Sequence, residues 1–215
     1  MITADDLLDL QNVDFDLMTV KISKYIGKAR YQHCQKVAEL CTMIAEDLLP
    51  HRVEELFIAG LLHDVAKELS YGELMSLLKY RTDLTPEDYA TTAALHSFAG
   101  AELIKKEFPE FATQSILSAV NNHTLGNRDM PMFDKILFVS DFLAHKDTIS
   151  EAELLFTDVY RFIKTGRPRL ELAQRFNSIV KKYIDMTEDR LNSLGIPLHS
   201  RTKALRESIL PDIYK

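Results

Sequence analysis

Apolar residues along this chain recur mostly at intervals of three and four positions, and strict alternation with polar residues is scarce. This spacing places apolar side chains on one face of a helix, so we predict an all-α protein. Prolines and short polar segments separate the apolar runs and indicate where helices end. The predicted helices are residues 19–27, 31–49, 53–68, 71–80, 90–107, 111–123, 132–144, 150–163 and 170–194. Short connections of this kind are typical of a packed helical bundle.

The chain divides by composition into three segments. Residues 1–18 form an acidic N-terminal extension, residues 19–146 a helical core, and residues 147–215 a C-terminal helical appendage that we expect to pack on the core. A length of 215 residues suits one compact core with such an appendage. The extension has no basic residue, the reverse of a secretory leader, which predicts a cytoplasmic location. Every apolar run is too short to cross a bilayer, so no membrane partner is expected.

Charge and cysteine content narrow the classes of partner. The formal net charge of −6 provides no overall basic surface, which argues against a nucleic-acid polymer as partner. We therefore expect a small-molecule partner, and we leave a homodimer open. The two cysteines, Cys34 and Cys41, are seven residues apart on nearly the same side of one predicted helix. We interpret them as reduced thiols in the core.

Several histidines and aspartates fall on the apolar faces of the predicted helices. His33, for example, shares a helix face with Val37 and Ile44. A single histidine on an apolar face is usually a hydrogen-bonded core residue. Several such residues together, with few basic partners, would carry a large desolvation cost unless a cation neutralised them. The residues in this pattern are His33, His63, Asp64, His96, His123 and Asp141.

The pattern therefore predicts a buried metal site. Imidazole and carboxylate ligands without thiolates favour iron, manganese or zinc. Six candidate ligands, with Asp64 able to bridge, suit two metal ions better than one. His51, His145 and His199 lie in loops or among charged residues, and we do not assign them to the metal.

The placement of these residues resembles the HD superfamily, whose pattern is a histidine, an adjacent His-Asp pair and a distant aspartate. Here these are His33, His63-Asp64 and Asp141. More narrowly, the chain resembles the YqeK-type bacterial symmetrical diadenosine tetraphosphatases. The segments that carry this resemblance are Arg30-Tyr31-Gln32-His33, Ala59 to Lys67, Leu95 to Ala101, Asn122 to Gly126 and Phe133 to Asp141.

The resemblance implies an HD-domain helical bundle with a di-iron centre, for which manganese or zinc are alternatives. Such an enzyme splits diadenosine tetraphosphate symmetrically into two ADP molecules. By the same resemblance His33, His63, Asp64 and Asp141 hold one metal, while Asp64, His96 and His123 hold the other. The chain departs from the family after Asp141, where Ile-Glu-Pro usually follows and this sequence reads Phe142 to Lys146. We expect the substrate contacts on this rim to differ.

A metal-bound hydroxide is the expected nucleophile, because two metals can activate water and clamp a phosphoryl oxygen. We assign catalytic roles to Asp64 and Lys67. Lys67 follows Asp64 by three residues, which places it on the same predicted helix face, where its ammonium group could contact a phosphate. Thr124 and Gly126, beside His123, are further candidates for substrate binding, because a loop backbone could approach the substrate there. Arg128 and Lys135 are weaker candidates.

Three alternatives stay open at the level of the sequence. The substrate could be a mononucleotide, a deoxynucleotide triphosphate or a cyclic dinucleotide, because a metal centre does not read the base. Some HD-type folds use a similar di-iron set for oxygenation. A non-enzymatic helical module stabilised by metal is the third alternative.

Overall fold

The computed structural model describes residues 14–145, 150–163 and 169–209. Every regular element in these ranges is helical, which confirms the predicted all-α fold class. The α-helices are α1 (Phe15–Ile22), α2 (Lys28–Leu48), α3 (Val53–Leu62), α4 (Tyr71–Leu78), α5 (Pro86–Ala90), α6 (Leu95–Glu107), α7 (Gln114–Asn122), α8 (Met132–Leu143), α9 (Ser150–Ile163), α10 (Arg169–Ser193) and α11 (Ser200–Ser208).

The first helix begins earlier than predicted. Asp14 caps α1, because its carboxylate accepts a hydrogen bond from the backbone N–H of Leu17 at 2.9 Å. The helix ends at Ile22, and α2 starts at Lys28, so the predicted boundaries at residues 19, 27 and 31 were wrong. Met18 and Ile22 of α1 are buried in the core. Most of the acidic extension lies outside the described residues.

The segment predicted as one helix over residues 53–68 is a helix followed by turns. Helix α3 ends at Leu62, and the N–H groups of Val65 and Lys67 donate to the carbonyls of Leu62 and Asp64 at 3.1 and 2.9 Å. These bonds span three residues, so the chain tightens into turns that end the α-helix. Lys67 therefore follows Asp64 in a turn and not on an α-helical face.

Two short helices, α5 and α11, were not predicted from the sequence. Helix α5 has a capping box, in which Thr85 and Asp88 satisfy each other's backbone N–H groups, and it is separate from α6. Consequently His96 lies in the first turn of α6 and not inside a long helix over residues 90–107. Helix α11 lies beyond the last predicted helix. Most of the connection between the helices predicted at residues 150–163 and 170–194 lies outside the described residues.

Helix α2 is central to the packing, since it contacts α3, α8 and α10. Helix α7 packs against α3, α6 and α8 and closes the other side of the same core. Helices α2 and α3 approach each other closely at Gly60. A Cβ atom at that position would lie 2.5 Å from the Cα atom of Ala38. Only glycine fits there, and this contact fixes the end of α3 relative to α2.

The C-terminal helices lie against the core. Helix α9 packs against α8 and α10, and α10 also contacts α2. Helix α11 is held at its start by Arg201, whose guanidinium binds the buried carboxylate of Asp88 at 2.6 and 2.9 Å. The Thr202 hydroxyl donates to the carbonyl of Leu125 at 2.7 Å. The division into extension, core and appendage stays a prediction.

Cys34 and Cys41 are both buried and free. Burial raises the pKa of the Cys41 thiol to about 12. This agrees with the interpretation of both residues as reduced core thiols. Among the helices of the described ranges, none combines the length and apolar character needed to cross a membrane.

Asp134 is a buried carboxylic acid between α7 and α8. Its Oδ2 atom accepts hydrogen bonds from the Ser118 hydroxyl at 2.6 Å and from the Asn122 amide at 2.9 Å. Burial raises its pKa to about 6 from 3.8, against the effect of these two hydrogen bonds. The native state therefore binds a proton at Asp134 more tightly than the unfolded chain does. This tighter proton binding stabilises the fold at low pH, and the stabilisation is lost as the pH rises through the native pKa.

We expect Asp134→Asn to remove this pH dependence. Between about pH 5 and about pH 7.5, the free energy of unfolding of the wild type should fall by about 1.4 kcal/mol relative to the variant. Urea unfolding of both proteins at a series of pH values measures this difference. A constant difference across the range would contradict the raised pKa.

Candidate metal centre

The fold brings together the six residues that the sequence singled out. His33 lies in α2, His63 and Asp64 follow α3, His96 lies in the first turn of α6, His123 follows α7, and Asp141 lies in the last turn of α8. Together they form the His/Asp cluster. Their ligand atoms fall into overlapping groups in which all atoms lie within 4.8 Å of one another.

Asp64 lies between the two halves of the His/Asp cluster. Its Oδ1 atom is 3.1 Å from Nε2 of His96 and 3.5 Å from Nε2 of His123. Its Oδ2 atom is 3.6 Å from Nε2 of His63 and 4.0 Å from Nε2 of His33. One carboxylate thus faces two sets of imidazoles with its two oxygens. This is the arrangement that a bridging ligand requires.

Asp141 completes the half that contains His33 and His63. Its Oδ1 atom lies 2.9 Å from Nε2 of His33 and 3.5 Å from Nε2 of His63. We name His33, His63, Asp64 and Asp141 the first ligand set, and Asp64, His96 and His123 the second ligand set, as candidate groups for two ions.

Backbone carbonyls orient three of the histidines. The Nδ1 atoms of His63, His96 and His123 lie 2.7, 2.9 and 2.7 Å from the carbonyl oxygen three residues earlier in each case. A carbonyl can only accept, so each Nδ1 carries the proton and donates it. Two of these carbonyls belong to the last turns of α3 and α7, where they lack partners within the helix. Each Nε2 lone pair consequently points into the His/Asp cluster.

The buried atoms at the middle of the His/Asp cluster are suited to a cation. Nε2 of His63 and Oδ1 of Asp64 are buried and make no hydrogen bond to any described residue. Nε2 of His96 lies 3.1 Å from Nε2 of His123, and both carry lone pairs because the protons are on Nδ1. Facing lone pairs repel, and buried unpaired acceptors are costly. The donor set therefore fits metal ions, and the His/Asp cluster can hold them.

The electrostatics of the His/Asp cluster keep its carboxylates ionised. Burial would raise the pKa of Asp64, but the surrounding His63, His123 and His96 lower it well below its usual range. Burial would also raise the pKa of Asp141, but His33 and His63 lower it well below its usual range. Burial lowers the pKa of His96 to about 4, so its imidazole is neutral near pH 7. Burial would lower the pKa of His63, but Asp64 and the neighbouring Cys34 raise it well above 6.5, so this imidazole would release its second proton on binding metal. Ionised carboxylates and neutral imidazoles are the protonation states that bind metal.

Arg30 is a site residue to which the sequence gave no role. Its Nη1 atom donates to Oδ2 of Asp64 at 2.9 Å, and its side chain is 30% exposed. Its Nε atom is buried and makes no hydrogen bond to a described residue. Arg30 precedes His33 by three residues on α2, so the helical spacing is a signal that could have placed it beside the cluster.

A cavity of about 660 Å³ opens beside the first ligand set. Its lining includes Arg30, His33 and Lys36 of α2, together with His145. This volume lies within the range of about 300–1,000 Å³ that is usual for ligand pockets. A bound molecule there would lie against both cationic side chains and the metal centre.

The residues assigned to substrate binding differ in their surroundings. Nζ of Lys67 lies 3.1 Å from Nε2 of His96, and the Thr124 hydroxyl lies 3.3 Å from the same atom. Both therefore border the second ligand set. Gly126 has a φ of +72°, and a Cβ atom there would lie 2.6 Å from Cδ2 of Leu205 in α11. The structure thus gives Gly126 a packing role against α11, and its contact with substrate stays a prediction.

The other histidines have different environments. His51 is exposed in the 3-10 turn Pro50–Arg52. His199 caps α11 and lies 3.5 Å from the carboxylate of Asp88. His145, in contrast, was excluded on the basis of its charged sequence neighbours, and the structure places it beside His33 and Asp141. The two weaker candidates for substrate binding have other partners. Arg128 forms an ion pair with Glu207 on the surface, and the Lys135 ammonium group donates a hydrogen bond to the side chain of Asn177.

The geometry of the His/Asp cluster agrees with the protein family that the sequence matches. The family model of the HD domain matches residues 30–152, which is more than half of the chain. The chain belongs to the HD domain family. The matched range includes all six residues of the His/Asp cluster, and membership confirms the resemblance indicated by the sequence.

Individual relatives of this HD domain chain are distant. A Mycoplasma pneumoniae protein named probable nicotinate-nucleotide adenylyltransferase/Ap4A hydrolase is 29% identical over 160 residues, which cover 74% of this chain and 44% of that protein. This chain thus spans less than half the length of that relative. The Staphylococcus aureus symmetrical bis(5'-nucleosyl)-tetraphosphatase is 26% identical over 138 residues, covering 61% of this chain and 70% of that protein.

A solved structure supports the fold. It is the crystal structure of a predicted HD superfamily hydrolase involved in NAD metabolism from Clostridium acetobutylicum. Its TM-score is 0.77, and the alignment covers 92% of this chain and 97% of that chain. At 23% sequence identity, this likeness establishes the shared all-α fold and no more.

Proposed function

We propose that this HD domain chain is a metal-dependent phosphohydrolase that splits diadenosine tetraphosphate symmetrically into two ADP molecules. The observation that carries the proposal is the position of Asp64. Its Oδ1 atom faces His96 and His123 and its Oδ2 atom faces His33 and His63, which suits a pair of metal ions, next to a cavity of nucleotide size. The names of the Staphylococcus aureus and Mycoplasma pneumoniae relatives support this choice of substrate.

The first ligand set would hold one metal and the second ligand set the other, with Asp64 shared. Two metals held in this way supply an activated water and polarise a phosphoryl oxygen. The imidazole and carboxylate donors suit iron, manganese or zinc. The family resemblance of the ligand residues supports iron.

The protein's own cations would position the polyphosphate. Arg30 and Lys36 border the cavity at the first ligand set, and Lys67 borders the second ligand set with Thr124. Positive charges thus lie on both sides of Asp64. A tetraphosphate that spans them would place its middle bridge near Asp64, and each side would then keep a nucleoside diphosphate. This positioning accounts for symmetrical cleavage without any contact to the base.

A hydrolysis screen tests the proposed substrate. Metal-loaded full-length chain is incubated with diadenosine tetraphosphate, a mononucleotide, a deoxynucleotide triphosphate and a cyclic dinucleotide, and the products are separated by chromatography. We expect ADP as the single product from diadenosine tetraphosphate, and much slower turnover of the others. Formation of ATP and AMP, or preference for another substrate, would overturn the proposal. Turnover that requires dioxygen would instead support an oxygenase.

Arg30→Gln is expected to weaken substrate binding and turnover while the metals stay bound. A charge-assisted hydrogen bond is worth about 1.5–3 kcal/mol, which corresponds to a loss of about 10- to 100-fold in kcat/KM. Steady-state kinetics with metal analysis of the same sample measures both effects. Arg175→Gln is the matched control, since Arg175 pairs on the surface with Glu171 and should leave kcat/KM unchanged. Equal kinetics in both variants would exclude a role of Arg30 in binding phosphate.

A further inference from the structure

His145 lies four residues after Asp141, just beyond the end of helix α8. Helix α8 ends at Leu143 in a tight turn, in which the backbone N–H of His145 donates to the carbonyl of Phe142, three residues earlier, at 3.1 Å. This turn leaves ligand atoms of Asp141 and His145 within 4.8 Å of each other. The carboxylate of Asp141 and the imidazole of His145 are therefore presented to the same side of the protein.

The His145 ring lies against His33 of the first ligand set. The two ring centroids are 5.0 Å apart, and the ring planes differ by 28°. Ligand atoms of His33, Asp141 and His145 all lie within 4.8 Å of one another. Ligand atoms at about 2.1 Å from one transition metal lie about 3–4.2 Å from one another, so the three side chains would have to draw together to bind one ion.

We propose that His145 is an additional ligand of the metal held by the first ligand set. A carboxylate and two imidazoles whose ligand atoms lie this close together can bind one ion. The inference rests on the metal centre of the proposed function but not on its substrate. The cavity reaches His145 as well as His33, so the ion would be bound at the edge of the substrate pocket.

The additional ligand makes the two metal positions unequal. The first ligand set would then contribute five residues and the second ligand set three, with Asp64 counted in both. A metal with more protein ligands is held more tightly and has fewer positions for water or phosphate. The exchangeable positions would thus concentrate beside Lys67 and Thr124, which border the second ligand set.

Cobalt(II) binding tests the role of His145 without any substrate. The full-length chain is freed of metal with a chelator and titrated with Co²⁺ in competition with a chelating indicator, while the visible ligand-field spectrum is recorded. The variants are His145→Ala and His145→Phe. Phenylalanine keeps a ring that can stack on His33 but has no ligand nitrogen. His51→Ala is the control, because His51 is exposed and lies outside the His/Asp cluster.

We expect both His145 variants to weaken the tighter Co²⁺ site by at least about 10-fold and to change its spectrum, while His51→Ala matches the wild type. Wild-type affinity and spectrum in His145→Phe would mean that the ring only packs against His33, and would overturn the proposal. Unchanged Co²⁺ binding in both variants, with a raised KM for diadenosine tetraphosphate, would also overturn it, because His145 would then contact substrate. Two bound Co²⁺ ions with no hydrolysis would refute the proposed function alone.

Discussion

Replacing Asp64 by asparagine is expected to lower the turnover of diadenosine tetraphosphate by at least about 1,000-fold. Asp64 faces both ligand sets, and asparagine cannot provide two anionic oxygens to two metals. Metal activation of water and phosphate is worth several kcal/mol, and each 1.4 kcal/mol corresponds to a factor of ten in rate. Steady-state turnover and metal content per chain are measured on the same preparation.

The matched control for this substitution is Asp189→Asn. Asp189 is an exposed aspartate of α10, so its variant should keep the turnover and metal content of the wild type. His63→Ala should resemble Asp64→Asn, since the buried Nε2 of His63 points into the same cluster. Unchanged turnover in both cluster variants would rule out a metal mechanism at this site.

Gly60→Ala is expected to lower the free energy of unfolding by about 3 kcal/mol. The added Cβ atom would lie 2.5 Å from Cα and 2.8 Å from N of Ala38, and backbone atoms cannot rotate away as a side chain can. Helices α2 and α3 would have to separate. The carbonyl of Gly60 also orients His63, so the separation should weaken metal binding too.

Gly72→Ala provides the comparison for Gly60→Ala. Nothing lies within 4 Å of a Cβ atom at Gly72, which is exposed in α4. Alanine there should raise the free energy of unfolding by up to about 1 kcal/mol, because glycine is a poor helix former. Urea unfolding of the two variants measures both values. Equal stability of the two proteins would contradict the close approach of α2 and α3.

The sequence was sufficient to predict the all-α fold and the six candidate ligands. Imidazoles and carboxylates embedded in apolar helix faces are costly without a cation, so their positions carry a signal that needs no tertiary information. His63 and Asp64 show this most clearly. They interrupt an apolar run whose neighbours are buried in α3.

The exact helix ends and several residues of the site could not be predicted, because they depend on local hydrogen bonds and on tertiary contacts. The end of α3 at Leu62 follows from turns in which N–H groups bond three residues back, and periodicity does not distinguish these from a helix. His145 lies beside the site through its contact with His33, which joins distant parts of the chain. Arg30 could have been placed there by its helical spacing from His33, but its bond to Asp64 is visible only in the fold. Gly126 looked like a loop glycine suited to substrate, whereas its packing against Leu205 of α11 is visible only in the fold.

Anomalous X-ray diffraction from crystals of the active, metal-loaded chain tests the central claim most directly. Data collected at the absorption edge of the bound metal locate each ion. We expect two ions for each chain, one held by His33, His63 and Asp141, one held by His96 and His123, and Asp64 between them. Activity that persists after removal of every transition metal, or ions bound only outside the His/Asp cluster, would contradict the account.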